Sequence, residues 1–203
     1  MSQMMSVNPW LSIWTHPKAT IRALVSKRPT YGLFRLAAIF SLQSIFFYAN
    51  WWSFGFKFHY SKILLAGLIL APLMGLIWIY LVGVIFSLTG RLLKGKATAA
   101  HLRTAVVWSK IPSLIALFLW LILIFVNPDQ AFIHNGEGPS SAFATFVVLI
   151  LGTWSLILLV QGLREVQHFS LIRTLVNIFF ASLFFSLFCF LAFSTGRYIY
   201  LLF

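Results

Sequence analysis

The chain has 203 residues, of which 61% are hydrophobic and 9% are charged. Soluble domains carry about 25% charged residues, so this chain has too few charges to cover a surface that faces water. The composition excludes a water-soluble enzyme, a disordered tail and a secreted module held by disulfides. It indicates an integral membrane protein.

The charges that are present are strongly unbalanced. Fifteen Lys and Arg residues stand against three acids, which gives a formal net charge of +12. In a soluble chain this excess would suggest binding to nucleic acid. In a membrane protein it has a simpler explanation, because cytoplasmic loops collect Lys and Arg and anionic lipid attracts them. We therefore expect anionic membrane lipid, and no nucleic acid, as the partner of these cations.

Residues 1–30 are predicted to form a cytoplasmic segment that lies on the membrane. Asn8 is suited to cap a short helix, and Trp10, Ile13 and Trp14 share one face of that helix. Tryptophan favours the level of the lipid headgroups, so Trp10 and Trp14 are the predicted interfacial anchors. The alternative is that this helix packs under the membrane-spanning bundle.

Residues 31–203 contain five long uncharged runs, which predict a bundle of five transmembrane helices. A bilayer core about 30 Å thick needs roughly 20 helical residues at 1.5 Å each, and every run meets or nearly meets this requirement. We expect an all-α membrane domain with these approximate spans: 33–54, 62–89, 105–126, 142–163 and 172–195.

The third predicted span contains a charge, because Lys110 lies about a turn and a half inside it. Pro112 removes the hydrogen bond that its amide would give to the carbonyl of Trp108, which predicts a kink. We expect Lys110 to extend its ammonium to the headgroups along its flexible stem. The alternative is a buried functional lysine.

The basic residues divide unevenly between the two sides of the predicted membrane. Three lie on one side: Lys57, Lys62 and Arg197. Twelve lie on the other: Lys18, Arg22, Lys27, Arg28, Arg35, Arg91, Lys94, Lys96, Arg103, Lys110, Arg164 and Arg173. This asymmetry predicts a cytoplasmic N-terminus and a C-terminus outside. The predicted contacts with anionic headgroups lie between the second and third spans: Arg91, Lys94, Lys96 and Arg103.

Small residues recur along the second span at intervals of four, or of eight across Ile79: Gly67, Ala71, Gly75, Gly83 and Ser87. Residues four apart lie on nearly the same side of a helix, so this row lets another backbone approach closely. Packing within the chain is the expected use of the row, and a dimer interface is the alternative. Pro72 in the same span predicts a kink.

The sequence predicts no catalytic residue, no cofactor and no metal site. His134 lies near Asp129 and Glu137, but their spacing matches no known ligand pattern, and a solvated loop is expected there. The third acid, Glu165, lies on the opposite side of the membrane. Four amides in or near the spans are expected to join helices by hydrogen bonds, with a pathway for a neutral or lipid substrate as the alternative: Gln43, Asn50, Gln161 and Asn177.

Three segments, in this order, resemble the Yip family of Ypt/Rab-interacting membrane proteins in its small bacterial form. They are residues 8–14 with 17–22, residues 95–98 ahead of Pro112, and residues 162–168 leading into 171–173. The resemblance implies a five-helix membrane fold and supplies no catalytic residue. Eukaryotic members act in vesicle traffic with small GTPases and have a longer cytosolic N-terminal region. About thirty residues precede the first span here, so we do not expect small GTPase binding.

Together these patterns predict a non-enzymatic protein of the bacterial inner membrane that organises lipid or partner proteins through a basic cytoplasmic face. The protein partner is left open between another membrane protein and a second copy of the chain. A lipid or small-molecule transporter or channel is the alternative function. It is motivated by Pro72 and Pro112, which together with nearby glycines can shape a cavity.

Overall fold

The computed structural model describes the backbone of residues 8–134 and 139–202, and the side chains of residues 8–134 and 146–191. Within these residues the chain is all-helical. Eight α-helices follow one another: α1 (Pro9–Thr15), α2 (Pro17–Lys27), α3 (Leu33–Trp51), α4 (Tyr60–Leu92), α5 (Ala99–Trp108), α6 (Pro112–Val126), α7 (Pro139–Gln167) and α8 (Leu171–Leu202). A short 3₁₀ turn at Phe54–Phe56 connects α3 to α4.

Among the described residues, four helices are long and apolar enough to cross a membrane, or five spans result if the bent pair α5 and α6 counts as one. The longest is α4, which has 33 residues and continues through Pro72 as one helix. Large apolar side chains such as Phe125, Leu149 and Phe179 are exposed on the outside of the bundle. A surface this apolar is stable against lipid and not against water. The chain is an integral membrane protein.

The third predicted span is a broken helix. α5 ends at Trp108, α6 begins at Pro112, and the two are bent by 45°. Backbone hydrogen bonds continue across the break with a shorter spacing, since the amide of Lys110 donates to the Val107 carbonyl and that of Ser113 donates to the Lys110 carbonyl. Non-helical backbone inside a membrane must have its polar groups satisfied. Pro112 was predicted to kink one helix, and the structure shows two separate helices instead. The backbone hydrogen bonds across the break satisfy its polar groups.

The row of small residues on α4 packs against other helices of the same chain. All of its members are buried: Gly67, Ala71, Gly75, Ile79, Gly83 and Ser87. A Cβ added at Gly75 would lie 2.6 Å from the carbonyl oxygen of Ala37 in α3, and Gly83 faces the aliphatic stem of Arg103 in α5. Packing within the chain, the expected use of this row, is confirmed. Because α3 and α5 cover the row, it is not available as a surface for binding a second copy of the chain.

The helices α1 and α2 pack under the bundle. Ile13 and Ile21 join a buried cluster around Trp108, which is fully enclosed. The ring of Trp10 lies 5.2 Å from that of Trp108, and Tyr31 stacks on Trp108 at 6.2 Å. This contact is the alternative that the sequence left open for the N-terminal helix. The anchoring of this helix in a membrane stays a prediction.

At the opposite end of the bundle, residues 127–134 fold back over α3 and α6. Phe132 is 1% exposed and stacks on Trp120 with the ring centres 6.1 Å apart. The side-chain amide of Asn50 donates to two carbonyls of this segment, at 3.0 and 3.1 Å. A solvated loop was expected here, and Asp129 is exposed as such a loop requires. The expectation is wrong for Phe132, because its ring is buried in the core at this end of the bundle.

Candidate lipid-contact sites

One end of the bundle, which we name the basic end, combines α1, α2, the α4–α5 connection and the α7–α8 connection. Two of the polar contacts between these segments reach α7. Arg22 of α2 donates to Glu165 of α7 at 2.5 Å, and the amide of Ala97 donates to Oε1 of Gln167 at 3.4 Å. Segments that are far apart in the sequence therefore lie next to one another at the basic end. Together they carry most of the Lys and Arg residues of the chain.

The α4–α5 connection presents Arg91, Lys94 and Lys96 as exposed side chains. Lys94 has a φ of 64°, in the left-handed region. The amide of Gly95 donates to the carbonyl of Gly90 at 2.8 Å, which closes the end of α4 in a Schellman-type turn. Glycine is the usual residue in this conformation because a side chain is strained there. Here the strained position carries a cation instead.

Buried Gln167 fixes the α4–α5 connection against α7. Its Oε1 accepts the hydrogen bond from Ala97, and its side-chain amide occupies the space that a Cβ at Gly90 or Gly95 would fill. No local sequence pattern predicts this contact. The two glycines that flank the connection are a signal of a close approach, but they do not identify the residue that approaches.

Arg103 is placed differently from the other three predicted headgroup contacts. Its guanidinium lies 4.3 Å from the centre of the Tyr80 ring, and its stem lies against Gly83. Stacking on an aromatic ring and covering apolar surface are both common for arginine. The structure thus leaves Arg91, Lys94 and Lys96 exposed and holds Arg103 against α4. Contact of any of the four with lipid stays a prediction.

The ion pair of Arg22 and Glu165 joins a surface cation to a largely covered carboxylate. Arg22 is 72% exposed at its side chain and Glu165 is 12% exposed. The hydrogen bond from Arg22 to Glu165, and then the charge of Glu165, raise the pKa of Arg22. Among the described side chains this is the one ion pair, so the other cations of the basic end have no carboxylate partner there.

A first cavity lies at the basic end, between α7 and the junction of α1 with α2. It has a volume of about 460 Å³ and is lined in part by Trp14, Lys18, Trp154 and Gln161. Oε1 of Gln161 is buried and has no hydrogen-bond partner. Trp14, one of the two predicted anchors, therefore forms part of a cavity wall that also includes a cation.

A second cavity, of about 280 Å³, lies between α4, α5, α7 and α8 and includes Lys110 in its wall. The Lys110 ammonium lies 4.9 Å from the centre of the Phe40 ring, and Phe40 packs on Trp78 at 4.5 Å. The expected extension of Lys110 to the headgroups is wrong, because the ammonium points to an aromatic ring inside the bundle. The alternative interpretation was a buried functional lysine. The position of the side chain within the bundle agrees with it, and a function for Lys110 stays a prediction.

One of the four predicted amides joins two helices, as expected, and a second joins a helix to a non-helical segment. Asn177 is fully buried in α8 and accepts a hydrogen bond of 2.6 Å from the Thr89 hydroxyl of α4. Asn50 joins α3 to the folded segment at residues 127–134. Gln161 lines the first cavity, and Gln43 is half-buried on α3.

Within the described part of the chain, no group of three or more His, Cys, Asp or Glu side chains could hold a metal ion. His134, the candidate considered from the sequence, packs against Trp51 with the ring centres 4.6 Å apart. Glu137 lies outside the described residues. No candidate metal ligand set is formed by the residues that are described.

Comparison with known families supports the resemblance found in the sequence. The model of the Yip1 domain matches residues 11–193, from α1 into α8. Neither a curated protein nor a solved structure matches the chain. Because the family match covers nearly the whole sequence, the chain belongs to the Yip1 domain family.

Proposed function

We propose that this chain is a non-enzymatic protein of the bacterial inner membrane that organises anionic lipid, or a partner protein, at its basic end. In this proposal the basic end faces the cytoplasm. The Yip1 family is not known as enzymatic. The partner protein would be another membrane protein or a second copy of the chain.

The observation that carries the proposal is the exposed cationic surface at the α4–α5 connection. Arg91, Lys94 and Lys96 are exposed there, with no carboxylate partner among the described side chains. Each Lys or Arg near an anionic membrane surface contributes about 1 kcal/mol to binding. Because Gln167 holds the connection in place, little conformational entropy is lost when it meets a lipid surface.

The N-terminal helices support lipid contact at the same end. Leu11 is exposed on the outer side of α1, and Trp10 and Trp14 are each only partly covered by the bundle. A short helix with apolar and indole side chains is suited to the headgroup level of a bilayer. Lipid would therefore meet α1 and the cations of the basic end together.

The test is retention of phosphatidylglycerol by the full chain, purified in a mild detergent and analysed by mass spectrometry. We expect the variant with Arg91, Lys94, Lys96 and Arg103 all changed to Gln to bind this lipid about tenfold or more weakly. The matched control is Lys57→Gln with Lys62→Gln, which removes exposed cations at the opposite end and leaves retention unchanged. Equal retention by the fourfold variant would contradict the proposal.

A lipid or small-molecule transporter or channel is the second candidate, favoured by the break between α5 and α6 beside the Lys110 cavity. Broken helices form the substrate sites of many transporters. Proteoliposomes separate the two candidates. Lipid exchange or solute leak that depends on the protein would support transport, and their absence would support the first proposal.

A further inference from the structure

Lys110 lies in the wall of a cavity whose other lining side chains are mostly apolar. Apolar side chains from four helices line it, among them Trp78, Leu159 and Ile178. Besides Lys110, the lining residues with polar side-chain atoms are Ser182 and Ser186 on α8, each with a hydroxyl, and Trp78, with its indole N–H. A cation among apolar walls with two hydroxyls beside it is a site for the head of an anionic amphiphile.

No described carboxylate pairs with Lys110. Glu165 is bound to Arg22, and Asp129 is exposed at the opposite end of the bundle. A cation held in a medium of low dielectric constant is costly unless an anion or hydrogen bonds compensate it. The Phe40 ring and the carbonyl end of α5 compensate only in part. An anion supplied from outside the chain would complete the compensation.

The position of the cavity selects an anion that arrives from the bilayer. Val82 lies ten residues before the end of α4, and Ser182 lies eleven residues after the start of α8. At 1.5 Å per residue these depths are about 15 Å from the helix ends, well inside a bilayer core. Ser182 and Ser186 are also exposed on the outer surface of α8, so the cavity opens sideways to lipid.

The size of the cavity favours an occupant with a small head and a single chain. Its volume of about 280 Å³ equals about nine water molecules at ~30 Å³ each. This space holds a carboxylate and the first part of one acyl chain. It is too small for a phosphoglycerol headgroup together with two chains.

We propose that the Lys110 cavity binds a long-chain fatty acid. The carboxylate accepts hydrogen bonds from the Lys110 ammonium and the hydroxyls of α8, and the acyl chain leaves between the helices into the surrounding lipid. This site is independent of the basic end, because Arg91, Lys94 and Lys96 do not line the cavity.

The test is the binding of radiolabelled oleate to the full chain, purified in a non-ionic detergent. We expect Lys110→Gln to bind oleate about tenfold or more weakly, since a charge-assisted hydrogen bond is lost, and Lys110→Arg to keep most of the affinity. Lys62→Gln removes an exposed lysine at the opposite end of the bundle, outside the cavity lining, and leaves oleate binding unchanged. Equal oleate binding by Lys110→Gln and the unaltered chain would overturn the proposal.

A second variant separates loss of the site from loss of the fold. Ala181→Phe keeps Lys110 but fills the cavity, so we expect it to lose oleate binding and to elute from gel filtration like the unaltered chain. Oleyl alcohol, which lacks the carboxylate, should compete weakly with oleate. If Ala181→Phe keeps the fold and binds oleate normally, or if phosphatidylglycerol competes better than free oleic acid does, the proposed occupant is wrong.

Discussion

Lys94 and His168 both adopt the left-handed backbone conformation, with φ values of 64° and 55°. Each closes the end of a helix at the basic end, since the amide of Gly95 donates to the Gly90 carbonyl and that of Phe169 donates to Arg164. A side chain in this conformation costs about 1–2 kcal/mol relative to glycine. The chain therefore keeps side chains at positions where glycine would be more stable.

We expect Lys94→Gly to stabilise the protein by about 1 kcal/mol, because glycine relieves the strain at this turn. Thermal unfolding in detergent should show a midpoint raised by about 2–4 °C. Lys96→Gly is the matched control, since it removes the same charge from the same connection at a residue whose φ is not positive. A midpoint that rises equally in both variants would assign the effect to charge and not to strain.

The ion pair between Arg22 and Glu165 allows a second prediction at this scale. We expect Arg22→Gln, Glu165→Gln and the double variant to lower the unfolding midpoint by similar small amounts, because each removes the same interaction. Arg28→Gln is the control, because Arg28 directly follows α2 and has no ion pair among the described side chains. If the double variant loses the sum of the two single effects, the two side chains act independently.

The pKa of Arg22 gives the pH dependence of this pair. Glu165 raises that pKa above its ordinary value, so the stabilisation linked to the protonation of Arg22 is fully present below the ordinary arginine pKa, as long as Glu165 is ionised. Stability is lost only when the pH rises through the raised pKa. We therefore expect titration of Arg22 to leave the unfolding midpoint unchanged between pH 7 and pH 9, measured as the difference between the unaltered chain and Arg22→Gln.

At the scale of elements, the α3–α4 contact depends on the absence of a side chain at Gly75. A Cβ there would lie 2.6 Å from the carbonyl oxygen of Ala37. This oxygen belongs to the backbone of α3, which cannot move aside as a flexible side chain does. We expect Gly75→Ala to destabilise the bundle by about 1–3 kcal/mol. Gly152→Ala is the control, since a Cβ on Gly152 of α7 meets nothing within 4 Å, and alanine favours a helix.

Thermal unfolding and gel filtration of the two glycine variants test this contact. Gly75→Ala should lower the unfolding midpoint and broaden the elution profile, whereas Gly152→Ala should raise the midpoint slightly or leave it unchanged. If both variants behave alike, α3 and α4 do not approach as closely as the structure describes.

The sequence predicted those features of the fold that depend on neighbouring residues. Uncharged runs predict membrane spans, the spacing of Gly67 and Gly75 predicts a close helix contact, and Pro112 predicts a disturbed helix. The contact of Gln167 with the α4–α5 connection joins residues about seventy positions apart, and no local pattern identifies such a pair. The direction of the Lys110 side chain was mispredicted for the same reason, because it depends on Phe40 in another helix.

At the scale of the whole molecule, the distribution of charge and the helix order together predict a single orientation. The contacts at the basic end bring the α2, α4–α5 and α7–α8 segments together, and the opposite end carries the exposed residues Lys57 and Lys62. Moving the basic end through a bilayer would carry its cations across the apolar core, which costs several kcal/mol for each charge. We therefore expect every copy of the chain to have its basic end in the cytoplasm.

Single cysteines test this orientation in a chain whose exposed Cys189 has been changed to Ser. We expect an impermeant maleimide to label Lys57→Cys in intact cells, and Lys96→Cys only in inside-out membrane vesicles. Both side chains are exposed in the structure, so a difference between them reports the side of the membrane and not burial. Labelling of Lys96→Cys from outside intact cells would invert the bundle, and anionic lipid of the cytoplasmic leaflet could then not be the partner of the basic end.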